Sequence, residues 1–336
     1  MRYDEILLAH GSGGKMSSDL IAGVFLPRLG NSYLDALGDS AVLDLDGKRL
    51  CFTTDSYVIN PVFFPGGDIG SLAVHGTVND ISVSGGRPLF LSAGFILEEG
   101  FKFSELMRIV DSMAQAARAA GVRIVTGDTK VVARGAADGL FINTSGIGVI
   151  DYPAEISMLS ISVGDVIIIN GTIGDHGAAV MSAREGLDLP DGPISDSAPL
   201  NGLVEGLLKV SPNVHFMRDA TRGGLGTILC EAARGARVRL EVRERDIPVK
   251  DQVRGLCEVM GLDPLYIANE GKLVVFCPAE DAPAVLEYMR GHEYGKDAAL
   301  IGEVTAGGEK RAILHTAVGG SRELDLPVGE LIPRIC

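Results

Sequence analysis

Apolar and polar positions along the chain fall into short alternating runs and longer helical cycles that predict two successive α/β lobes. The run AVLDLDGKRLCFTTD, Ala41 to Asp55, alternates on both sides of Asp46-Gly47, as in two strands joined by a tight turn. Helical spacing follows at about Asp68 to Ser84, then a strand at Leu89 to Leu97 and a helix capped by Ser104. That helix carries Leu106, Ile109, Val110, Met113 and Ala117 on one face and ends at Gly121. Strands at Val122 to Thr126 and Leu140 to Ile150 complete the first lobe, and Asp151-Tyr152-Pro153 marks a boundary. The second lobe alternates strands (Val166 to Ile169, Val238 to Val242, Leu265 to Ala268, Lys272 to Cys277, Ala299 to Thr305) with helices (Asp175 to Glu185, Gly224 to Arg234, Asp251 to Met260, Glu280 to Arg290). Beyond Val318 the pattern lapses into GGSRELDLPVGELIPRIC. The expected division is therefore 1–152, 153–317 and a mobile tail, 318–336, in a two-lobed α/β (α+β) fold with mixed sheets packed by helices.

One position breaks the pattern. Ile69, Ala73, Gly76, Asp80 and Val83 share one stripe of the first helix, so a carboxylate interrupts an apolar face. Burying it unpaired costs several kcal/mol or neutralises it, so a metal ion or a lysine is expected beside it, with an internal salt bridge as the plain alternative.

A length of 336 residues fits two domains, each able to form a core. Net charge is −14 without a basic cluster, which argues against a nucleic-acid partner; a polyanionic ligand would need placed lysines or a divalent ion on aspartates. The apolar run Ile6 to Ala9 is too short for a secretory leader and no stretch is long enough to span a membrane, so a cytoplasmic protein is expected. Cys51, Cys230, Cys257 and Cys277 sit among apolar neighbours and read as core thiols, while Cys336 closes the sequence.

Several segments could carry chemistry. In His10-Gly11-Ser12-Gly13-Gly14-Lys15, bare N–H groups and a lysine could hold a phosphate, although the spacing is not that of a Walker A loop and an idle N-terminal loop is the alternative. Asp39, Asp55, Asp128 and Asp219 stand at strand ends or among small residues, where single aspartates are usually turn residues or caps. In Thr126-Gly127-Asp128-Thr129-Lys130, Lys130 could neutralise a phosphate or move a proton, with an exposed loop lysine as the equal alternative, and Glu270, in a turn between two apolar segments, is either an ordinary surface acid or placed for a general base. Gly171 to Gly177 opens a helix where close packing is favoured over anion binding; the roles of Asp175 and His176 stay open. From Gly320 the final residues, about 16 at roughly 3.3 Å each, could carry the Cys336 thiol on the order of 50 Å, into a cleft and out again.

Together HGSGGK, GDSA, TTDS, HGTVNDISVSGG, TGDTKV, GTIGDHG, RDATRGGL, ANEGK and the ending PRIC resemble the HypE family of hydrogenase maturation proteins over nearly the whole chain. More broadly they are similar to aminoimidazole ribonucleotide synthetase, selenophosphate synthetase and thiamine-monophosphate kinase. The resemblance implies a homodimer joined through the N-terminal lobes, with ATP and magnesium as cofactors. Gly11, Gly13, Gly14, Lys15, Thr126 and Gly127 would contact nucleotide, and Asp39, Asp55, Asp80, Asp128 and Asp219 would hold the metal. It also implies a carbamoyl group delivered to Cys336 by HypF, ATP-dependent dehydration to a thiocyanate with Cys336, Lys130, Glu270 and Asp80 as catalytic residues, and cyanide delivery through HypC and HypD. The rival is an ATP-dependent enzyme of the same superfamily acting on a free small molecule, as selenophosphate synthetase does; residues 10–15 lack the reactive Cys of that enzyme.

Overall fold

The computed structural model describes residues 7–11, 14–29, 31–33, 35, 37–153, 155–187, 191–307, 310–327, 329 and 332–336. The first lobe is a five-stranded sheet of β1 (Ala41–Leu45), β2 (Lys48–Tyr57), β3 (Arg87–Glu98), β4 (Arg123–Val132) and β5 (Leu140–Ile150), in the order β1-β2-β5-β3-β4. Pairing is antiparallel except between β3 and β4. Asp46 and Gly47 both take positive φ, which gives the hairpin the hand its strands require.

Helix α1 (Ile69–Val83) starts where expected because Asp68 accepts from the N–H groups of Gly70 and Ser71 at 2.8 and 3.1 Å, within a capping box. It is buried on nearly all sides rather than along one stripe, between the sheet and the second lobe. Helix α2 (Phe103–Ala119) packs on α1 through Ile109, Met113, Ala116 and Ala117. Its cap is Lys102 rather than Ser104, which lies inside the helix, and Val110 faces outward. Both helices cover one face of the sheet. Phe52, Ile96 and Ile147 lie exposed on the other.

The second lobe is a seven-stranded mixed sheet that includes β6 (Asp165–Ile169), β7 (Phe216–Asp219, at one edge), β8 (Arg239–Arg243), β9 (Leu273–Pro278) and β10 (Ala299–Thr305). Helices α3 (Asp175–Arg184), α4 (Asn201–Val210), α5 (Gly224–Gly235), α6 (Asp251–Met260) and α7 (Ala282–Gly291) accompany it. The expected strand at Leu265 to Ala268 is instead a 3-10 turn, Pro264–Tyr266, capped by Asp263. The tail boundary at 318 is also corrected, because Ser321–Glu323 pairs with Ala312–His315 as the sheet's outer strand and Leu324 is buried in the core.

The lobes are fastened through α1. The Asn79 amide donates to the carbonyls of Ala198 and Glu270 and accepts from Leu200 N–H at 2.8 Å. No helix among the described residues is long and apolar enough to cross a membrane.

Candidate functional site

The carboxylates of Asp39, Asp55, Asp80, Asp219 and Glu270 gather where β2, α1, the end of β7 and the 268–272 turn meet. Asp55 points from β2 towards α1, held by the Tyr57 hydroxyl at 3.0 Å. Gly76 makes that possible, since a Cβ there would lie 2.3 Å from the Tyr57 oxygen. The Thr53 hydroxyl is 2.8 Å from Asp80 Oδ2 and 2.9 Å from the Asp39 carbonyl. One hydroxyl proton cannot serve both, so an Asp80 that keeps its own proton completes the pair.

Crowding of like charge under burial governs the electrostatics. Burial first, then Asp219, Asp55 and Asp39, push Asp80 well above the ordinary carboxylate range. Burial and Asp39 push Asp219 up to about 8 against the pull of Arg218. Burial also raises Asp39 and Asp55. Glu270 is raised well above its usual range by burial, Asp219, Asp55 and Asp196, and its Oε1 has no hydrogen-bond partner. Two arginines answer this charge: Arg218 contacts Asp39 at 3.0 Å and Glu231 at 2.7 Å, and Arg222 faces Asp55, Glu270 and Cys336. Asp80 thus lies beside other carboxylates rather than a lysine, and the cluster stays short of positive charge.

Residues 332–336 enter this cleft. Val58 N–H donates to the main-chain oxygen of Cys336 at 2.9 Å and Asn60 N–H to that of Arg334 at 3.3 Å, an antiparallel, strand-like seating. Ile335 and Cys336 pack with Tyr57, Ile59, Val180 and Ala268. The expected free thiol is therefore seated: burial pushes Cys336 up to about 12, with the Arg222 guanidinium hydrogen-bonding the sulfur and opposing that rise. The other four cysteines are buried as expected.

Asp128 and Lys130 do not join this set within one chain. They form an exposed ion pair at 2.5 Å on β4, Asp128 in register with Gly94, Asn143 and Ser56 and Lys130 with Ile96, on the face opposite Asp55. Thr126 and Gly127 share that strand, and Gly127 is explained locally, since a Cβ would lie 2.3 Å from Ala93 O. Gly11, Gly14 and Lys15 are described and Gly13 lies outside the described residues; Gly14 is pressed against Pro327, whose carbonyl accepts from Lys15 N–H at 3.1 Å. The packing reading of 171–177 is supported, because Asn269 and the Ala268 carbonyl take the N–H groups of Gly174 and Gly177 at 2.7 and 3.0 Å.

Among the described residues no three His, Cys, Asp or Glu side chains close on a point tightly enough to ligate a metal unaided. A cation held here would share its sphere with phosphate oxygens and water, the usual habit of magnesium. The surplus of buried carboxylate and the orphaned Glu270 oxygen fit such an ion. Sequence reasoning missed Tyr57, Asn79, Arg218 and Arg222, although RDATRGG contains both arginines; the signal was the number of converging acids that required guanidinium partners.

Family models for AIR synthase related proteins match residues 37–150 (N-terminal domain) and 162–315 (C-terminal domain). The carbamoyl dehydratase HypE of Azotobacter vinelandii is 51% identical over 336 residues, covering 100% of this chain and 98% of its own. A HypE–HypF complex superposes with a TM-score of 0.87 at 50% identity, covering 92% of this chain and 99% of the other. A HypE structure in complex with ATP gives 0.83 at 50% identity, covering 99% and 100%. Matched along its whole length at half identity, and with a buried cysteine facing a carboxylate cleft, the chain belongs to the HypE family of carbamoyl dehydratases.

Proposed function

We propose that the chain dehydrates a thiocarboxamide carried on Cys336 to a thiocyanate, converting ATP to ADP and phosphate. The observation that carries this reading is the burial of Cys336 beside Arg222, Glu270 and Asp55, where a group on sulfur would meet both a guanidinium and a carboxylate whose Oε1 has no hydrogen-bond partner. In S–C(=O)–NH2 the oxygen is a poor leaving group until it attacks the γ-phosphorus of ATP. Loss of one N–H proton then leaves an O-phosphorylated imidate, and loss of the second expels phosphate and forms S–C≡N. Glu270 would take a proton at each step, since its raised pKa makes it a better base than an ordinary carboxylate. Arg222 would stabilise charge developing on the reacting oxygen. Asp39, Asp55, Asp80 and Asp219 would hold magnesium, which when bound neutralises phosphate charge and aligns the transfer.

Loading from HypF requires the 332–336 segment outside the cleft and dehydration requires it inside, so residues after Leu324 act as the carrier. HypC and HypD would receive the cyanide. A second copy covering the exposed sheet face of Phe52, Ile96 and Ile147 would form the homodimer, and Lys130 and Asp128, on that face, would then work in a site shared between copies. The free thiols suit a reducing cytoplasm.

The test is mass analysis of the peptide ending at Cys336 after incubation with carbamoyl donor and ATP. Wild type should gain a carbamoyl group and then lose one water, whereas Glu270→Gln should stop at the carbamoyl adduct. Water loss at the wild-type rate in Glu270→Gln removes the assigned base, and turnover of a free substrate with Cys336 unmodified favours a small-molecule phosphotransferase.

A further inference from the structure

We propose that His176 is a positioning residue that sets the register of the seated 332–336 segment by donating from Nε2 to the main-chain oxygen of Ile335. The distance is 2.7 Å and the imidazole is fully buried. A carbonyl can only accept, so Nε2 carries the proton. A neutral ring then has an acceptor at Nδ1, which lies 2.8 Å from the Ser195 hydroxyl. Ser195 therefore donates to His176, while its own oxygen accepts from Ser197 N–H at 3.1 Å. Burial lowers the His176 pKa and keeps the ring in this neutral form. The tautomer is thereby fixed by a residue far from the segment it serves.

The opposite end of the same helix repeats the contact. Arg184, in the last turn of α3, donates to the Arg334 carbonyl at 2.9 Å and to the Asn60 carbonyl. With Val58 and Asn60, α3 thus holds main-chain oxygens of three successive residues, 334, 335 and 336. The Ile335 side chain supplies apolar burial but little direction, because an apolar wall accepts several placements. The imidazole accepts one. A slip of one residue would carry the Cys336 sulfur about 3.3 Å from Arg222 and Glu270. The consequence of such a slip for dehydration rests on the reaction proposed above; the seating itself does not.

The test uses the full-length protein without nucleotide or carbamoyl donor. Cys336 is alkylated with iodoacetamide and each cysteine peptide is followed by mass spectrometry, with Cys51, Cys230, Cys257 and Cys277 reporting global opening. His176→Ala should label Cys336 about tenfold faster, the worth of one buried hydrogen bond, with the four control cysteines unchanged. His176→Gln, whose amide can donate from nearly the same position, should stay within about twofold of wild type. Ser195→Ala should fall between them, and it serves as the deciding variant should His176→Ala not fold. Wild-type labelling of Cys336 in His176→Ala, or equal acceleration of all five cysteines, overturns the assignment. Selective labelling in a protein that never forms thiocyanate would leave the seating intact and remove the proposed reaction.

Discussion

Replacing Asp219 by Asn tests the electrostatics of the cleft directly. Asp219 titrates at about 8 in the folded chain against an ordinary 3.8, chiefly through burial and then Asp39. Between those values the folded state keeps a proton that the unfolded state has released, so stability falls as pH rises through the interval and levels off above it. At ~1.4 kcal/mol per pKa unit the loss has a ceiling of about 6 kcal/mol, and half of that is a reasonable expectation because side chains and water relax around the charge. Asparagine has the same shape and cannot ionise. Asp219→Asn should therefore melt higher than wild type at pH 9 and close to it at pH 4, with much of the pH slope removed. A chain of this length shifts by about 1.5 °C per kcal/mol, so a relative gain of roughly 5 °C is expected at alkaline pH. If Asp219 holds magnesium as proposed, magnesium with ATP should restore wild type at pH 9 and do less for the variant. Melting curves at pH 4, 7 and 9, with and without magnesium and ATP, supply every comparison. An unchanged pH slope in Asp219→Asn, or equal stabilisation of both proteins by the cation, would refute the account.

Two other substitutions probe separate features. Lys130→Ala should leave stability within about 0.5 kcal/mol, because an exposed pair contributes little, yet stop dehydration. Mixed dimers of Lys130→Ala with Cys336→Ala subunits should regain turnover if the lysine acts across the interface, and inactive mixtures would place it within its own chain. At Gly224, φ is +61° and a Cβ would lie 2.6 Å from the carbonyls of Leu265 and Ile267. Gly224→Ala should lose about 2 to 4 kcal/mol through left-handed strain and the clash, measured by denaturant unfolding, and a variant as stable as wild type would show that the 264–267 turn yields easily.

What could be read from the sequence divides along the range of the interactions that decide it. Helix α1 was legible because Asp68, its cap, and the apolar residues that follow are contiguous, and the β1–β2 hairpin because Asp46-Gly47 carries its own backbone preference. The turn at 264–266 was misread because an apolar run looks like a strand until Asp263 and Pro264 are given their weight. Asp80 stood out through a local conflict, a carboxylate in a buried helix, yet its partners arrive from β2 and β7 and no spacing encodes them. Arg218 was missed for the same reason: Asp39, which draws it inward, belongs to the other lobe. His176 remained unassigned because its two ring contacts lie 19 and 159 residues away. Charge accounting was the usable long-range signal. Acids collected at strand ends of a two-lobed fold converge on one cleft, where burying so many charged carboxylates without guanidinium partners or bound protons would cost more than a marginally stable domain can bear. The requirement for guanidinium partners such as Arg218 and Arg222 therefore precedes any knowledge of where they sit, and the geometry of the cleft is the particular solution this chain has found.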